Sequence, residues 1–490
     1  MASTSALTIG RKDYEDYISL LPDCLIHHIF SFLPTRDVIK TCVLSKRWQF
    51  VWTTISDLGF SVSSYHDSFV DRVLTHYVGP KVKKFHLDVI LNFDFFNPSK
   101  IDPWVHFAIN HQVEDLLLDV YSYQYTPWGH YLEKAEDYTL HPLLYNCSSL
   151  TKLCLTGCHF PFSESISWSS LKSLSIDNVT SDVLQKILMG SPVLEYLNLT
   201  DCWSVEGIRI HSRSLRELVI INADVIGPPL HISTPHLLSL RVRGAHFYEA
   251  IRIIEAPSLV EAELDFGGPA KSDSCLLKEM LCKLQNATRI LSGAWCLWVM
   301  SPLKVEDMQI SLLNCKSLTL SMPIPKFSFP AIANMLATAP NLEKLVIIFK
   351  LPDCVSYISD LDSRNVDHES YWHIKKQFKR WARHLKNVEI FGFYTCLRSK
   401  YEELLLLVKF LLGHASVLGN MVIKVKSHEQ DLESVDSLKL LEVARRLQSY
   451  HKASRDAAVI LNYLEEVPQK RRKKGVRVTT KCLHIGHKNA

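Results

Sequence analysis

Residues 150–199 read LTKLCLTGCHFPFSESISWSSLKSLSIDNVTSDVLQKILMGSPVLEYLNL, and three segments in them follow one rule. LTKLCL at 150, LKSLSI at 171 and LEYLNL at 194 each place an apolar residue, two variable residues, a second apolar residue, one variable residue and a third apolar residue. The same rule returns in LRELVI at 215, LLSLRV at 237 and, with Ala at its middle site, LVEAEL at 259, so that successive starts from 150 to 259 are 21, 23, 21, 22 and 22 residues apart. VKKFHL at 82 and VEDLLL at 113 extend the series upstream. Alternating apolar residues mark a short strand with one buried face, and a fixed period of this length marks stacked units that bury that face against their neighbours.

This spacing lies in the range of leucine-rich repeats, and it predicts parallel strands joined by variable crossovers. In SDVLQKILMGSPVL, residues 181–194, Val183, Leu184, Ile187 and Leu188 share one helical face, while Gly190 and Pro192 end the helix. Beyond 259 the series loosens: CKSLTL at 315, LEKLVI at 342 and LKNVEI at 385 are 27 and 43 residues apart, and LQNATRILSG at 284–293 reads at best as a degenerate unit. The repeat region is therefore expected over residues 80–350.

The repeat frame also accounts for residues that resemble chemistry when read alone. Cys158 and Cys202 follow their repeat starts by the same offset, the inward position that such repeats fill with Asn or Cys, so CxxxCH at 154–159 is read as structural. CLHIGH at 482–487 lacks a second ligand pair at zinc spacing. Side chains between the inward residues face the other, concave side of the strands: Tyr196, Asn198, Glu217, Arg241, Arg243, Glu261 and Glu263. The arginine pair should lie beside the glutamate pair, forming either a self-satisfied cross-strand charge ladder or a target-facing surface.

The N-terminal stretch LPDCLIHHIFSFLP, residues 21–34, has a different period. Pro22 suits a first helical position, Asp23 complements the positive helix end, and Pro34 stops the helix near Leu33. Leu25, Ile29, Phe32 and Leu33 form one apolar stripe. Thr35 is expected to cap a second helix and Ser45 a third, in which Trp48, Val51 and Trp52 share a face. Three helices in about forty residues bury too little surface to stand alone, so their apolar face belongs either to a neighbouring part of the chain or to another polypeptide.

The whole run LLPDCLIHHIFSFLPTRDVIKTCVLSKRWQFVW resembles the F-box motif in its Leu-Pro start, its SFLP and VLSKRW segments and its closing Trp. The resemblance covers residues 17–57, after a flexible N-terminus at 1–16. It implies docking on a Skp-type adaptor, and through it on a cullin, by Leu21, Pro22, Leu25, Ile29, Leu33 and Pro34, with Trp48 and Trp52 holding the helices together.

After residue 370 come WHIKKQFKRWARHLKNVEIFGF, an amphipathic helix bearing Leu404, Val408, Leu411, Leu412 and Ala415, and the strand-like MVIKV. With RRLQSYHKASRDAAVIL at 445–461, residues 380–463 resemble the FBD domain that follows the repeats in a plant-type F-box and leucine-rich-repeat family. A basic tail, 464–490, carries KRRKK at 470–474, readable as a solvated segment or as a nuclear-import signal. The fold class implied is α/β: a three-helix F-box, an irregular leucine-rich-repeat solenoid with parallel strands, and a small α/β FBD-like domain.

At 47% hydrophobic and 22% charged residues the chain can fill a large core, and a net charge of +4 over 490 residues argues against wholesale nucleic-acid or membrane binding. Thirteen cysteines, without the dense even spacing of a disulfide scaffold, fit a reducing compartment, and no secretory signal or spanning segment is evident, so nucleus or cytoplasm is the expected location. Phosphate-cradling loops, GxSxG, HExxH and kinase signatures are missing from the sequence, and no catalytic, cofactor-binding or metal-binding residues are expected. The resemblance implies a non-catalytic substrate receptor of an SCF-type ubiquitin ligase whose repeats hold an unidentified target protein. The alternatives are an interaction scaffold in which the first helices only cap the repeats, and a small-molecule-sensing receptor.

Overall fold

The computed structural model describes residues 18, 20–62, 67–91, 98–122, 138–161, 165–202, 207–222, 228–244, 251–266, 274–300, 310–323, 328–350, 382–393, 400–425, 437–467 and 477–485. The expected flexible N-terminus, the KRRKK cluster and most of the WHIKKQFKRWARHL segment lie outside these residues. The chain forms two compact units, Met1–Asp177 with Met189–Ser191, and Asn178–Leu188 with Pro192–Ala490.

The first unit starts with helices α1 (Asp23–Phe30), α2 (Thr35–Lys40) and α3 (Trp48–Val51). Pro22 and Pro34 each stand one residue before a helix. The Pro22 carbonyl accepts hydrogen bonds from the backbone of Leu25 at 3.0 Å and Ile26 at 3.1 Å, and that of Pro34 accepts from Asp37 at 2.8 Å and Val38 at 3.0 Å. A residue with a fixed φ and no N–H is well suited to this boundary. Thr35 does not cap α2 as expected. It is the first residue of the helix, and its buried hydroxyl accepts a hydrogen bond from the backbone N–H of Gly59 at 2.8 Å. Ser45 does meet the α3 start, accepting from the Trp48 N–H at 3.4 Å. Ile26, Phe30, Val38, Trp48, Val51 and Trp52 form the buried side of these helices, with Phe30 edge-on to Trp48 at 5.5 Å.

Strand β1 (Asp57–Val62) follows directly, at the end of its sheet, and α2 packs against it. A helix over a terminal strand protects an edge that could otherwise pair with another chain. Helix α4 (Asp67–His76), β2 (Lys84–Leu91), helix α5 (Ile101–Asn110), β3 (Asp115–Ser122), the two-residue β4 (Tyr138–Thr139), β5 (Lys152–Thr156), the short β6 (Cys158–His159) and β7 (Ser173–Asp177) complete the unit. The parallel order is β1-β2-β3-β5-β7, with β4 and β6 paired separately. Each repeat strand begins two residues after the leading apolar residue of its segment, which places Asp57, Lys84, Asp115, Lys152 and Ser173 in one cross-strand row. Ile55, Leu58 and Phe60, all buried, supply a unit of this kind upstream of residue 82.

In the second unit the elements are β8 (Tyr196–Thr200), β9 (Arg209–His211), β10 (Glu217–Ile221), β11 (Leu230–Ser233), β12 (Ser239–Gly244), β13 (Ile251–Glu255) and β14 (Glu261–Phe266). They continue with β15 (Arg289–Ser292), β16 (Ser317–Pro323), β17 (Lys344–Lys350), β18 (Asn387–Phe393), β19 (Asn420–Val425), β20 (Ala458–Val467) and β21 (Arg477–Ile485). One parallel ladder runs β8-β10-β12-β14-β15-β16-β17-β18-β19-β20, closed by the antiparallel β21. The region that resembles an FBD domain thus contributes β18, β19 and β20 to the same ladder, and helix Lys400–His414 buries Val408, Leu411 and Leu412.

The segment at 284–293 corrects the reading of a degenerate unit. Ala287, Ile290 and Ser292 are buried, and β15 pairs in full register with β14 and β16. With it in place, starts at 259, 287, 315 and 342 are 28, 28 and 27 residues apart. Where units are 21 or 22 residues long, between 194 and 259, the return path is a strand of three to five residues, and β9, β11 and β13 form their own parallel sheet. In the longer units it is a helix: Ser274–Lys283, Ala294–Met300 or Ser328–Thr338. A helix rises about 1.5 Å per residue and a strand about 3.3 Å, so covering the same height takes roughly twice as many residues. Five or six extra residues per unit are in keeping with that ratio, while the 23-residue unit from 171 accommodates a return helix, Ser181–Gly190, without them. Of the expected face of the helix Ser181–Gly190, Val183, Leu184 and Ile187 are buried and Leu188 is half-buried.

Candidate functional site

On α1 and the turn after it, side chains divide cleanly between two sides. Ile26 and Phe30 are buried, whereas Leu25 is 48% and Ile29 42% exposed, Phe32 is 75% exposed, and Leu33 is also exposed. Of the other expected adaptor positions, Pro22 and Pro34 are exposed and Leu21 is half-buried. The apolar stripe therefore faces solvent, and the helices pack on the chain through a different face. Trp48 and Trp52 are buried on that inner face. Two cross-links hold the arrangement: Asp23 of α1 pairs with Arg47, and the His27 ring meets the Val51 carbonyl at 3.2 Å.

The exposed surface is larger than the stripe. Ile18, Leu20, Val43, Leu44 and Phe50 also lie open, Val43 at 83% and Phe50 at 66%. Val43 and Leu44 belong to the VLSKRW segment, and they lie off the face shared by Trp48, Val51 and Trp52. That offset was the available signal for them. So many large apolar side chains left exposed on one short helical module mark a candidate interaction site.

The ladder face carries the expected polar side chains, and charge pairing organises many of them. Lys84 pairs with Asp57 at 3.3 Å, and Lys152 with Asp115 at 3.5 Å, so the row Asp57, Lys84, Asp115, Lys152 alternates in sign. In the second unit Arg243 hydrogen-bonds the buried carboxylate of Glu263, while Glu261 is held by Arg289 of the next strand at 3.2 and 3.4 Å. The arginine and glutamate pairs are thus neighbours, but only Arg243 joins its expected partner. Arg241 stands in register with Glu263 without an ion pair among the described residues. Lys316 and Lys386 flank Glu343 at 3.7 and 2.9 Å, and Lys344 reaches Glu389 at 2.7 Å. Glu217 is exposed, in register with the half-buried Tyr196, and Asn198 accepts from the Thr200 hydroxyl at 3.5 Å.

Burial raises the carboxyl pKa of Asp115, but the neighbouring His86 ring and Lys152 ammonium pull it down further, and the net position is below the ordinary value. Cys158 and Cys202 are buried two residues beyond the ends of β5 and β8, each thiol facing the carbonyl two residues back, Thr156 at 3.6 Å and Thr200 at 3.4 Å. Among the described residues no three His, Cys, Asp or Glu side chains are grouped to hold a metal ion, and no helix is long and apolar enough to cross a membrane.

Comparison with known proteins places names on both regions. The F-box domain family matches residues 18–57, and the family described as FBD-associated F-box protein At5g56370, LRR repeats, matches residues 101–262. The F-box/LRR-repeat protein At5g02910 of Arabidopsis thaliana is 32% identical over 346 residues, 68% of this chain and 72% of its own length. The F-box/LRR-repeat protein At3g03360, also of Arabidopsis thaliana, is 30% identical over 415 residues, 79% of this chain and 82% of its own length. With an N-terminal three-helix module exposing an apolar stripe, a parallel repeat ladder behind it and relatives at this level over most of their length, the chain belongs to the F-box/LRR-repeat family.

Proposed function

We propose that the chain is the substrate-recognition subunit of an SCF-type cullin-RING ubiquitin ligase. The exposed stripe of Leu25, Ile29, Phe32 and Leu33, continued by Val43, Leu44 and Phe50, carries this reading. Leaving it in water is unfavourable, because full burial of one aliphatic side chain is worth about 1.5–3 kcal/mol, and a Skp-type adaptor is the partner that an F-box module calls for. Because the inner face is already packed, docking requires no unfolding of the helices.

The repeats then hold a target protein on the ladder face, with Tyr196, Asn198, Glu217 and Arg241 as its polar contacts. No side chain of this chain takes part in ubiquitin transfer. Its contribution is proximity: a bound target is presented to the charged conjugating enzyme at high effective concentration. We place this work in the nucleus or cytoplasm.

The test is affinity purification of the full chain with proteasomal degradation blocked. Adaptor and cullin peptides should co-purify with one or a few targets that accumulate under the block, and those targets should be ubiquitinated when the purified complex is supplied with conjugating enzyme. Co-purification of stable proteins without adaptor or cullin would instead favour an interaction scaffold.

A further inference from the structure

Along most of the ladder face a charge meets its partner on the next strand, as Lys84 meets Asp57 and Lys344 meets Glu389. Two neighbouring strands of the second unit depart from this. Glu217, the first residue of β10, and Arg241, the third of β12, make no ion pair and no side-chain hydrogen bond among the described residues. Register places Tyr196 and Ser239 on either side of Glu217, and Val219 and Glu263 on either side of Arg241. Glu263 is engaged by Arg243, and Glu261, on the same strand, by Arg289. The approaches to β10 and β12, GIRIHSRSLR at 207–216 and PPLHISTPHLL at 228–238, contain no carboxylate. Glu195 and Arg216, just before β8 and β10, are exposed, adjacent and opposite in sign, with the Arg216 N–H donating to the Glu195 carbonyl at 2.8 Å.

Because β10 and β12 are adjacent, a strand spacing of about 4.8 Å and about 6.6 Å between alternate residues set Glu217 and Arg241 about 8 Å apart on one face. Arg241 and Tyr196 are half-buried and Val219 is buried. A charge drawn partly out of water is costly to leave unpaired, and a partner supplied there is held more strongly than in open solvent.

We propose that Glu217 and Arg241 read an opposite pair of charges on the target: a basic side chain lodged between the Glu217 carboxylate and the Tyr196 ring, and an Asp or Glu side chain gripped by the Arg241 guanidinium. This rests on the ladder face being the target surface and names what that surface selects. The segment that fits is extended, because its alternate side chains, about 6.6 Å apart, nearly span the two charges. Tyr196 offers a cation a ring face in addition to the carboxylate. The planar fork of Arg241 suits a carboxylate in two-point contact.

The test selects peptides from a phage-displayed library of random nonapeptides on the full chain, then titrates a fluorescein-labelled peptide from that selection by anisotropy. Enriched sequences should carry an acid and a base two residues apart. Changing the peptide's acid to Ala should weaken binding to wild type about tenfold and alter binding to Arg241→Ala little, and its base should behave likewise against Glu217→Ala. Lys152→Ala should bind as wild type does, and Arg241→Lys should recover only part of the affinity. A melting curve for each variant, together with this coupling between peptide and protein residues, separates a lost contact from lost folding. Absence of enriched sequences, enrichment without the charged pair, or equal losses in both backgrounds would overturn the inference. Strong coupling between Glu217→Ala and Arg241→Ala in urea would do so too, by showing that the two satisfy each other. Adaptor binding by the same proteins should be unchanged. A chain that binds the adaptor but selects no charged pair refutes this inference alone, whereas a wild-type chain that binds no adaptor removes the receptor reading.

Discussion

The Thr35 hydroxyl accepts a hydrogen bond from the Gly59 N–H at 2.8 Å, tying the first residue of α2 to the middle of β1. A threonine placed like a helix cap instead joins the F-box module to the first repeat strand. It is one of the contacts through which α2 packs on β1. Thr35→Val keeps the volume but removes the acceptor of the Gly59 N–H, a part-buried bond whose loss costs about 0.5–1.5 kcal/mol. Urea unfolding should show that loss for Thr35→Val and a smaller one for Thr35→Ser. Equal stability of Thr35→Val and wild type would show that the contact does not join the two parts.

The repeat turn makes a second demand. Seven residues after the starts at 150, 171, 194, 215 and 385, the backbone is left-handed, at Gly157 (φ 65°), Asn178 (51°), Asp201 (48°), Asn222 (50°) and Gly392 (76°). At Gly157 a Cβ would lie 1.9 Å from the Val120 carbonyl oxygen, and at Gly392 2.1 Å from that of Phe349. Gly157→Ala or Gly392→Ala should each destabilise by more than the roughly 1–3 kcal/mol of the backbone conformation alone. Asn222→Gly, at an exposed position, should be nearly neutral. Thermal melts of the three variants check the contrast.

Much of the ladder was legible because the leading apolar residue fixes the strand two positions on. The unit at 284–293 was obscured by Ala287 and Ser292, small residues at sites where the eye expects Leu. The left-handed positions were also readable, as Gly, Asn or Asp at a constant offset. The outer sheet was harder to see: RIH and LHIS alternate correctly, but strands this short are not separable from loops without their neighbours. Contacts across units, such as Thr35 with Gly59 or Arg289 with Glu261, depend on register and on the path of the crossovers, which local pattern does not carry.

Asp115 provides a pH signature. Its folded-state pKa is depressed, so its contribution to stability is present above the unfolded value near 3.9 and is lost as pH falls through the folded value. Asp115→Asn should therefore unfold at lower urea than wild type at neutral pH, with the gap closing in acid below about pH 4. A gap that is constant with pH would remove the ionised carboxylate from the account.

Two ion pairs on the ladder face should differ in weight. Glu263 is buried, so Arg243→Ala leaves a carboxylate short of its charged donor and costs about 1–3 kcal/mol. Arg289 and Glu261 are largely in water, and Arg289→Ala should cost less than about 1 kcal/mol. Double-mutant cycles in urea measure both.

The account rests most directly on the outward stripe of α1, and a calorimetric titration of the full chain with a purified Skp-type adaptor examines it. Wild type should bind the adaptor one to one, and Leu25→Asp with Ile29→Asp should abolish binding while the chain still melts cooperatively, because both side chains stand about half in water and outside the packed inner face. Absence of binding by the wild-type chain, or undiminished binding by the double variant, would contradict the assignment of that stripe as the adaptor interface.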